Sequence, residues 1–144
     1  MLTVRQLLAR KGNAVHGIAP DATVLEALER MAQYDVGALV VLDGGELVGL
    51  VSERDYARKV ILRGKHSDTT PVREIMQEKP FCVGSAQSID ECMVLMTERR
   101  TRHLPVVENG QIAGLISIGD VVKAVIADRE ATIEELAQYI QGPH

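Results

Sequence analysis

Aromatic residues are nearly missing from this 144-residue chain, which has three tyrosines, one phenylalanine and no tryptophan. Scattered at Tyr34, Tyr56, Phe81 and Tyr139, they make no platform on which nucleobases could stack. A basic field is missing too: sixteen Lys and Arg against twenty Asp and Glu leave a formal charge of −4, the wrong sign for a phosphodiester backbone. No apolar run approaches the roughly 18 residues of a membrane span. The start, Met1-Leu2-Thr3-Val4-Arg5-Gln6, lacks the basic head and apolar stretch of a secretory signal. Cys82 and Cys92 have no His or second Cys at metal-ligand spacing. Neither nucleic acid, nor membrane, nor metal is expected, and a reduced, cytoplasmic setting is. There the two thiols act as small apolar fillers or as redox sensors. What remains is ordinary for a folded domain, 46% hydrophobic and 25% charged.

The chain is one unit written twice. Shifted by 65 positions, Val24–Ile61 falls on Ile89–Ile126 without a gap and with eleven identities in 38 positions, among them Gly49/Gly114, Ser52/Ser117 and Asp55/Asp120. Upstream, Val4-Arg5-Gln6-Leu7-Leu8 matches Val72-Arg73-Glu74-Ile75-Met76 at an offset of 68, so the first copy carries three extra residues near Lys11–Gly17.

Each copy reads alike. Thr23-x-x-Glu26 and Ser88-x-x-Glu91 are capping boxes, followed by apolar stripes Val24, Ala27, Leu28, Met31 and Ile89, Cys92, Met93, Met96 at helical spacing. Branched residues at Ala38–Leu42 with Leu47–Ser52, and Leu104–Val107 with Ile112–Ser117, predict two hairpins. Their turns are Asp43-Gly44-Gly45 and Glu108-Asn109-Gly110. Pro105 lacks a donor and belongs at an edge or away from the ladder. Helices follow at Arg54–Leu62 and Gly119–Asp128. A linker helix is expected over Val72–Gln77 with Pro71 at its first position, and Thr132-x-x-Glu135 is read as the box opening a separate terminal helix. The fold class is therefore mixed α/β (α+β): two β-α-β-β-α units related by a pseudo-twofold, sheets together and helices outside. Each unit, at roughly 60 residues, buries only a marginal core alone. The boundaries read 1–70 for the first unit with the N-terminal helix, 71–128 for the second with the linker helix, and 129–144 for a C-terminal helix and tail.

Gly49-Leu50-Val51-Ser52-Glu53-Arg54-Asp55 and Gly114-Leu115-Ile116-Ser117-Ile118-Gly119-Asp120 after the hairpins resemble a cystathionine-β-synthase (CBS) domain pair, or Bateman module. So do Val72–Met76 and Arg102–Val107. The resemblance spans about Val4 to Asp128. It implies a stand-alone regulatory module that binds an adenosine derivative (AMP, ADP, ATP, NAD or S-adenosylmethionine) between the units. It also implies two modules pairing as a disk-like homodimer, parallel or antiparallel, and an unidentified regulated protein. The stripe Ile133–Ile140 either joins that dimer or packs on its own subunit.

Ser52-x-x-Asp55 and Ser117-x-x-Asp120 each mark a strand-to-helix junction, where amides and the dipole suit an anion. A carboxylate can also accept both hydroxyls of a ribose diol. The resemblance gives the aspartates to the ribose and the serines to the phosphate, although Ser with an acid three places on is equally what any helix start prefers. It further places Ala14, His16, Val36, Gly37, Arg102, His103, Ser117 and Asp120 in the cleft closed by the second unit. Ser52, Arg54, Asp55, Arg58, Lys79, Phe81, Thr101 and Arg102 fall in the cleft closed by the first. Plain readings stand beside these: Phe81 as core, Arg58 and Lys123 as solvated surface. The run Arg99-Arg100-Thr101-Arg102-His103 sets like charges side by side, which an anion would relieve. A phosphorylated ligand fits those cations better than a sulfonium. An empty scaffold for protein interaction is the alternative. No phosphate loop, dinucleotide fingerprint or nucleophile elbow is present, so catalysis is not expected.

Overall fold

A computed structural model describes residues 1–12 and 14–141, without the side chains of Tyr139 and Gln141. Asn13 and 142–144, including His144, lie outside the described residues.

The duplication is realised in the central elements of each unit. Helix α2 (Val24–Tyr34) and strands β2 (Ala38–Asp43) and β3 (Glu46–Ser52) recur as α4 (Ile89–Arg99), β5 (His103–Glu108) and β6 (Gln111–Ser117). Both hairpins bulge at the same point, Val41/Leu42 and Val106/Val107. The turns need left-handed residues, supplied by Gly44 and Gly45 (φ 58° and 85°) and by Asn109 and Gly110 (51° and 76°). Thr23 and Ser88 cap their helices by accepting from the amides of Glu26 and Glu91, the hydroxyl half of each expected box. Leu39, Leu104 and Ile116 are wholly buried, each contributing about 1.5–3 kcal/mol of hydrophobic stabilisation. Between the sheets lies an apolar seam of Ala38, Val40 and Leu50 with Leu42, Leu47, Ile112 and Leu115. The first unit opens with β1 (Gly17–Ile18), parallel to β2. In the second, only Val83 bridges Val106. Pro105 explains the difference, because Val40 donates to the His16 carbonyl and its counterpart Pro105 has no N–H to give.

The units exchange their leading segments across the boundary expected at 70/71. Helix α1 (Val4–Lys11) buries Val4, Leu7 and Leu8 against Ile89, Leu104 and Ile116 of the second unit, while Val72 and Ile75 close the core of the first. The exchange is symmetric: Val24 donates to Thr70 O and Ile89 to Leu2 O, both at 2.9 Å. Leu8 covers Gly114 and Met76 covers Gly49 so closely that a Cβ would fall 2.8 Å and 2.5 Å from them. Only glycine admits this approach. A divide at 70/71 therefore separates each core from its own lid.

Two helix expectations also change. The linker makes a single 3-10 turn, Val72–Glu74, which Pro71 precedes in extended conformation (ψ 150°). The chain then forms β4 (Gln77–Glu78), antiparallel to β3, and so satisfies edge groups that a longer helix would leave open. At the other end α5 runs unbroken from Ile118 to Gln141. Thr132 sits in its interior and bonds back to the Asp128 carbonyl at 3.0 Å. Residues 127–131, Ala-Asp-Arg-Glu-Ala, hold no Gly or Pro to interrupt it. Its counterpart is only α3 (Glu53–Tyr56) and a π-helical turn, Ala57–Ile61.

Candidate nucleotide clefts

Each Ser-x-x-Asp element forms a complete reciprocal cap. Asp55 N donates to Ser52 Oγ at 3.2 Å while Ser52 N donates to Asp55 Oδ2 at 2.9 Å. The same bonds join Ser117 and Asp120 at 3.1 and 2.9 Å. Glu53 N donates to Gly37 O and Ile118 N to Arg102 O. The helix starts thus have most of their amides spent, and one oxygen of each aspartate is committed to the main chain. The capping function of these residues is plain; what is left for a ligand is the second carboxylate oxygen and the side chains around it.

Those side chains differ greatly between the clefts. Around Asp55 a single cavity of about 620 Å³ is lined by Gly37, Leu50, Ser52–Asp55, Arg58, Lys59, Gln77 and Arg99–His103. Five arginines (Arg54, Arg58, Arg99, Arg100, Arg102) and Lys59 face two carboxylates, Glu53 and Asp55. Among the described residues, none of the five arginines is in an ion pair. Lys59 bonds the Ile75 carbonyl at 2.9 Å and stands 3.4 Å from Asp55 Oδ1. Beside this cavity a recess of about 230 Å³ is lined by Lys79, Pro80 and Phe81, and shares Gln77, Arg99, Thr101 and His103 with it. Phe81 both packs on the second core and lies under the Arg99 guanidinium, 3.7 Å from the ring centre.

Around Asp120 the space is divided. Ala14, His16 and Val36 line a slot of about 160 Å³ with Lys11 and Leu115, while Asp120 and Lys123 line a separate hollow of about 360 Å³. Lys11 borders both, bonding Asp120 Oδ2 at 2.6 Å and the Leu115 carbonyl at 2.5 Å. His16 stacks on Tyr34, ring centres 3.8 Å apart. The two pairs are equivalent, since Phe81 and Arg99 stand 65 places after His16 and Tyr34.

Several expected residues change cleft. Gly37 and His103, assigned with Asp120, line the Asp55 cavity, and so does Arg102. His103, at the start of β5, lies against the residue before β2: a Cβ on Gly37 would lie 3.9 Å from His103 Nε2. Ser117 caps α5. Arg99, Arg100, Lys59 and Glu53 were not among the site residues expected from sequence. The Arg99–His103 charge run was the signal for the first two. Burial holds the His103 imidazole below its ordinary range, reinforced by Lys11 and Arg102 and opposed by Asp120 and Asp55. Burial pushes the Asp120 carboxyl up, but the Lys11 bond and the Ser117 amide outweigh it and hold the group below the usual range. Cys92 is pushed up to about 11 by burial and Glu91, and with no exposure at all it is a core filler.

The family model for the CBS domain matches residues 4–62 and again 72–127. The chain belongs to the CBS-domain family. Over 97% of its length this CBS pair is 40% identical to the CBS domain-containing protein CBSX3, mitochondrial, of Arabidopsis thaliana, covering 72% of that protein. A solved protein with CBS domains from Burkholderia ambifaria MC40-6 is 50% identical with a TM-score of 0.85, covering 88% of this chain and 95% of that one. The CBS-domain containing protein ATU1752 from Agrobacterium tumefaciens is 40% identical with a TM-score of 0.81, covering 85% and 98%. No helix among the described residues is long and apolar enough to cross a membrane.

Proposed function

We propose that this CBS pair is a regulatory module whose Asp55 cleft binds a phosphorylated adenosine (AMP, ADP, ATP or NAD) and so alters the activity of a partner protein. The observation that carries this reading is the set of five arginines, without ion-pair partners among the described residues, around one 620 Å³ cavity. Clustered cations in a net acidic chain repel one another, and a phosphate relieves that repulsion while accepting bidentate bonds from the guanidinium groups. Asp55 Oδ1 accepts a ribose hydroxyl, and the recess beside Phe81 takes the base, with an apolar wall and backbone edges. A ligand bridging Arg58 and Arg102 touches both units. It then favours whichever arrangement of the units it binds better, which is all a ligand needs to act on a partner.

Isothermal titration with AMP, ADP, ATP, NAD and S-adenosylmethionine tests the reading. Saturable heat is expected from a phosphorylated member and none from the sulfonium. Absence of heat from every one, with no rise in melting temperature, overturns it.

One observation favours a second reading, that of an interaction scaffold. The far half of α5 exposes Ile133, Leu136 and Ile140, at 65, 57 and 73%, a stripe suited to a second copy in a homodimer or to the regulated protein. A scaffold of that kind keeps its partner in a pull-down whatever nucleotide is added, whereas the sensor's partner responds to the nucleotide.

A further inference from the structure

The two repeats carry equivalent lysines with unlike fates. At the offset of 68 that relates Val4–Leu8 to Val72–Met76, Lys11 matches Lys79. After Val72–Glu74 the second copy leaves the helical path, pairs Gln77 and Glu78 with β3, and holds Lys79 in a left-handed conformation at φ 49°. That lysine lines the recess beside Phe81. In the first copy α1 continues to Lys11 and closes only at Gly12, whose N–H bonds Leu8 O at 2.8 Å. The extra residues of the first copy make room for this additional helical length. It brings the Lys11 ammonium over β6 and onto Asp120.

There Lys11 shares Asp120 Oδ2 with the Ser117 amide, so it obstructs the second cleft by where its ammonium stands and not by using the oxygen a ribose would take. It donates to Asp120 Oδ2 at 2.6 Å and to the Leu115 carbonyl at 2.5 Å, from the wall between the slot at Ala14–Val36 and the hollow at Asp120. In the other cleft the cation nearest the aspartate is Lys59, one turn along the same helical segment. Lys59 stays 3.4 Å from Oδ1 without hydrogen-bonding it and is anchored behind by Ile75 O. The cavity in front of Asp55 remains undivided. We infer that Lys11 is a resident cation that occupies the second cleft in place of a ligand, so that the chain takes one nucleotide rather than two, and that releasing Lys11 opens a second site. A ligand spanning the slot and the hollow must first move the Lys11 ammonium, which borders both, away from Asp120 Oδ2 and Leu115 O. At Asp55 the neighbouring Lys59 stands 3.4 Å from Oδ1 and lines the cavity without dividing it, so a ligand can enter with Lys59 in place.

The inference rests on the nucleotide reading above, so its test reads the lock and the ligand separately. AMP is titrated into the full-length protein and its Lys11→Met variant while backbone amide shifts are followed, and the Asp120 carboxyl is titrated by carbon NMR in both. Met keeps the apolar stem and helix propensity and removes only the ammonium. In the natural protein AMP is expected to move amides around Arg54, Arg58 and Thr101 and to leave those of Ala14, His16 and Val36 in place. The variant adds this second group, and the Asp120 midpoint rises toward the ordinary carboxylate range. Movement at both clefts in the natural protein overturns the inference, as does an unaltered single site in a variant whose Asp120 midpoint has risen. An Asp120 midpoint unaffected by Lys11→Met removes the lock itself. If AMP, and after it ADP, ATP and NAD, move no amide in either protein, the nucleotide reading fails, and the carboxyl titration alone then decides whether Lys11 holds Asp120.

Discussion

The two clefts come from one duplicated sequence, share their serine, aspartate and capping geometry, and have become chemically different. One is a single cationic cavity; the other is partitioned by a lysine of the same chain. The backbone at each aspartate is the same to within a few tenths of an ångström in its hydrogen bonds. Duplication therefore preserved what the fold needs, the helix start, and released what surrounds it. Position 35 and its counterpart 100 show this in one pair: Asp35 and Arg100 both end a helix in the left-handed conformation, at φ 53° and 52°, with opposite charge.

The largest expected difference lies in the arginines. Arg102→Ala should weaken AMP binding by about 1.5–3 kcal/mol, the value of a hydrogen bond to a charged group, or roughly ten- to a hundredfold. Lys123→Ala, the removal of a cation beside Asp120, should leave affinity within twofold. Titration calorimetry on both variants checks this, and equal losses would erase the distinction between the clefts.

The aspartates should differ in what they cost. Either change to Ala removes a cap partner and lowers stability by about 0.5–2 kcal/mol, with Asp120→Ala also stripping the Lys11 pair. Asp55→Ala should in addition reduce AMP affinity about tenfold or more, and Asp120→Ala should not. Denaturant unfolding beside calorimetry separates the two effects. Loss of stability without loss of affinity in Asp55→Ala would make that residue a cap and nothing else.

The exchanged lids offer a structural comparison. Gly49→Ala and Gly114→Ala each force a Cβ against the covering side chain, Met76 or Leu8, but only at Gly49 is a backbone atom, Gln77 O, also within 3.1 Å. Overpacking costs about 1–3 kcal/mol, and Gly49→Ala should sit at the upper end because a backbone atom cannot swing aside. Unfolding midpoints that rank the other way would contradict the packing.

The smallest effect is on pH. Since His103 binds its proton less readily folded than unfolded, its contribution to stability is complete above the ordinary imidazole value of about 6.5 and declines as pH falls through the lowered one. Asp120, also lowered, loses its contribution in the same direction but only below about pH 4. His103→Gln should flatten the higher step and Lys11→Met the lower, in melting temperatures measured from pH 8 to 3.

Much of the fold was legible because it is written in periodicity and repeated. The hairpins, α2, α4 and the pairing of two sheets follow from apolar spacing, turn glycines and the gap-free offset of 65. Where reading failed, local signals lost to contacts distant in sequence. Val72–Gln77 has a helix-like start, yet the open edge of β3 draws Gln77 and Glu78 into a strand. Thr132-x-x-Glu135 matches a capping box, yet nothing stops α5 before it. Around the Asp55 cavity, Ser52, Arg54, Asp55, Arg58 and Arg102 were readable as a group, whereas Gly37 and His103, expected beside Asp120, line the same cavity. Their positions depend on how the start of β5 meets the residue before β2, a contact between units 66 positions apart in sequence. Lys11 could be noticed only as the border of three extra residues.

From composition and spacing alone came the doubled unit, the residues that cap each helix, and the basic runs at Arg54–Arg58 and Arg99–His103, because these depend on neighbours a few positions away. Which lid closes which core, and that a lysine from α1 reaches an aspartate 109 residues later, depend on how two units wrap around each other. Chain-distant contacts of that sort arise only when burial of apolar surface brings both ends to one place.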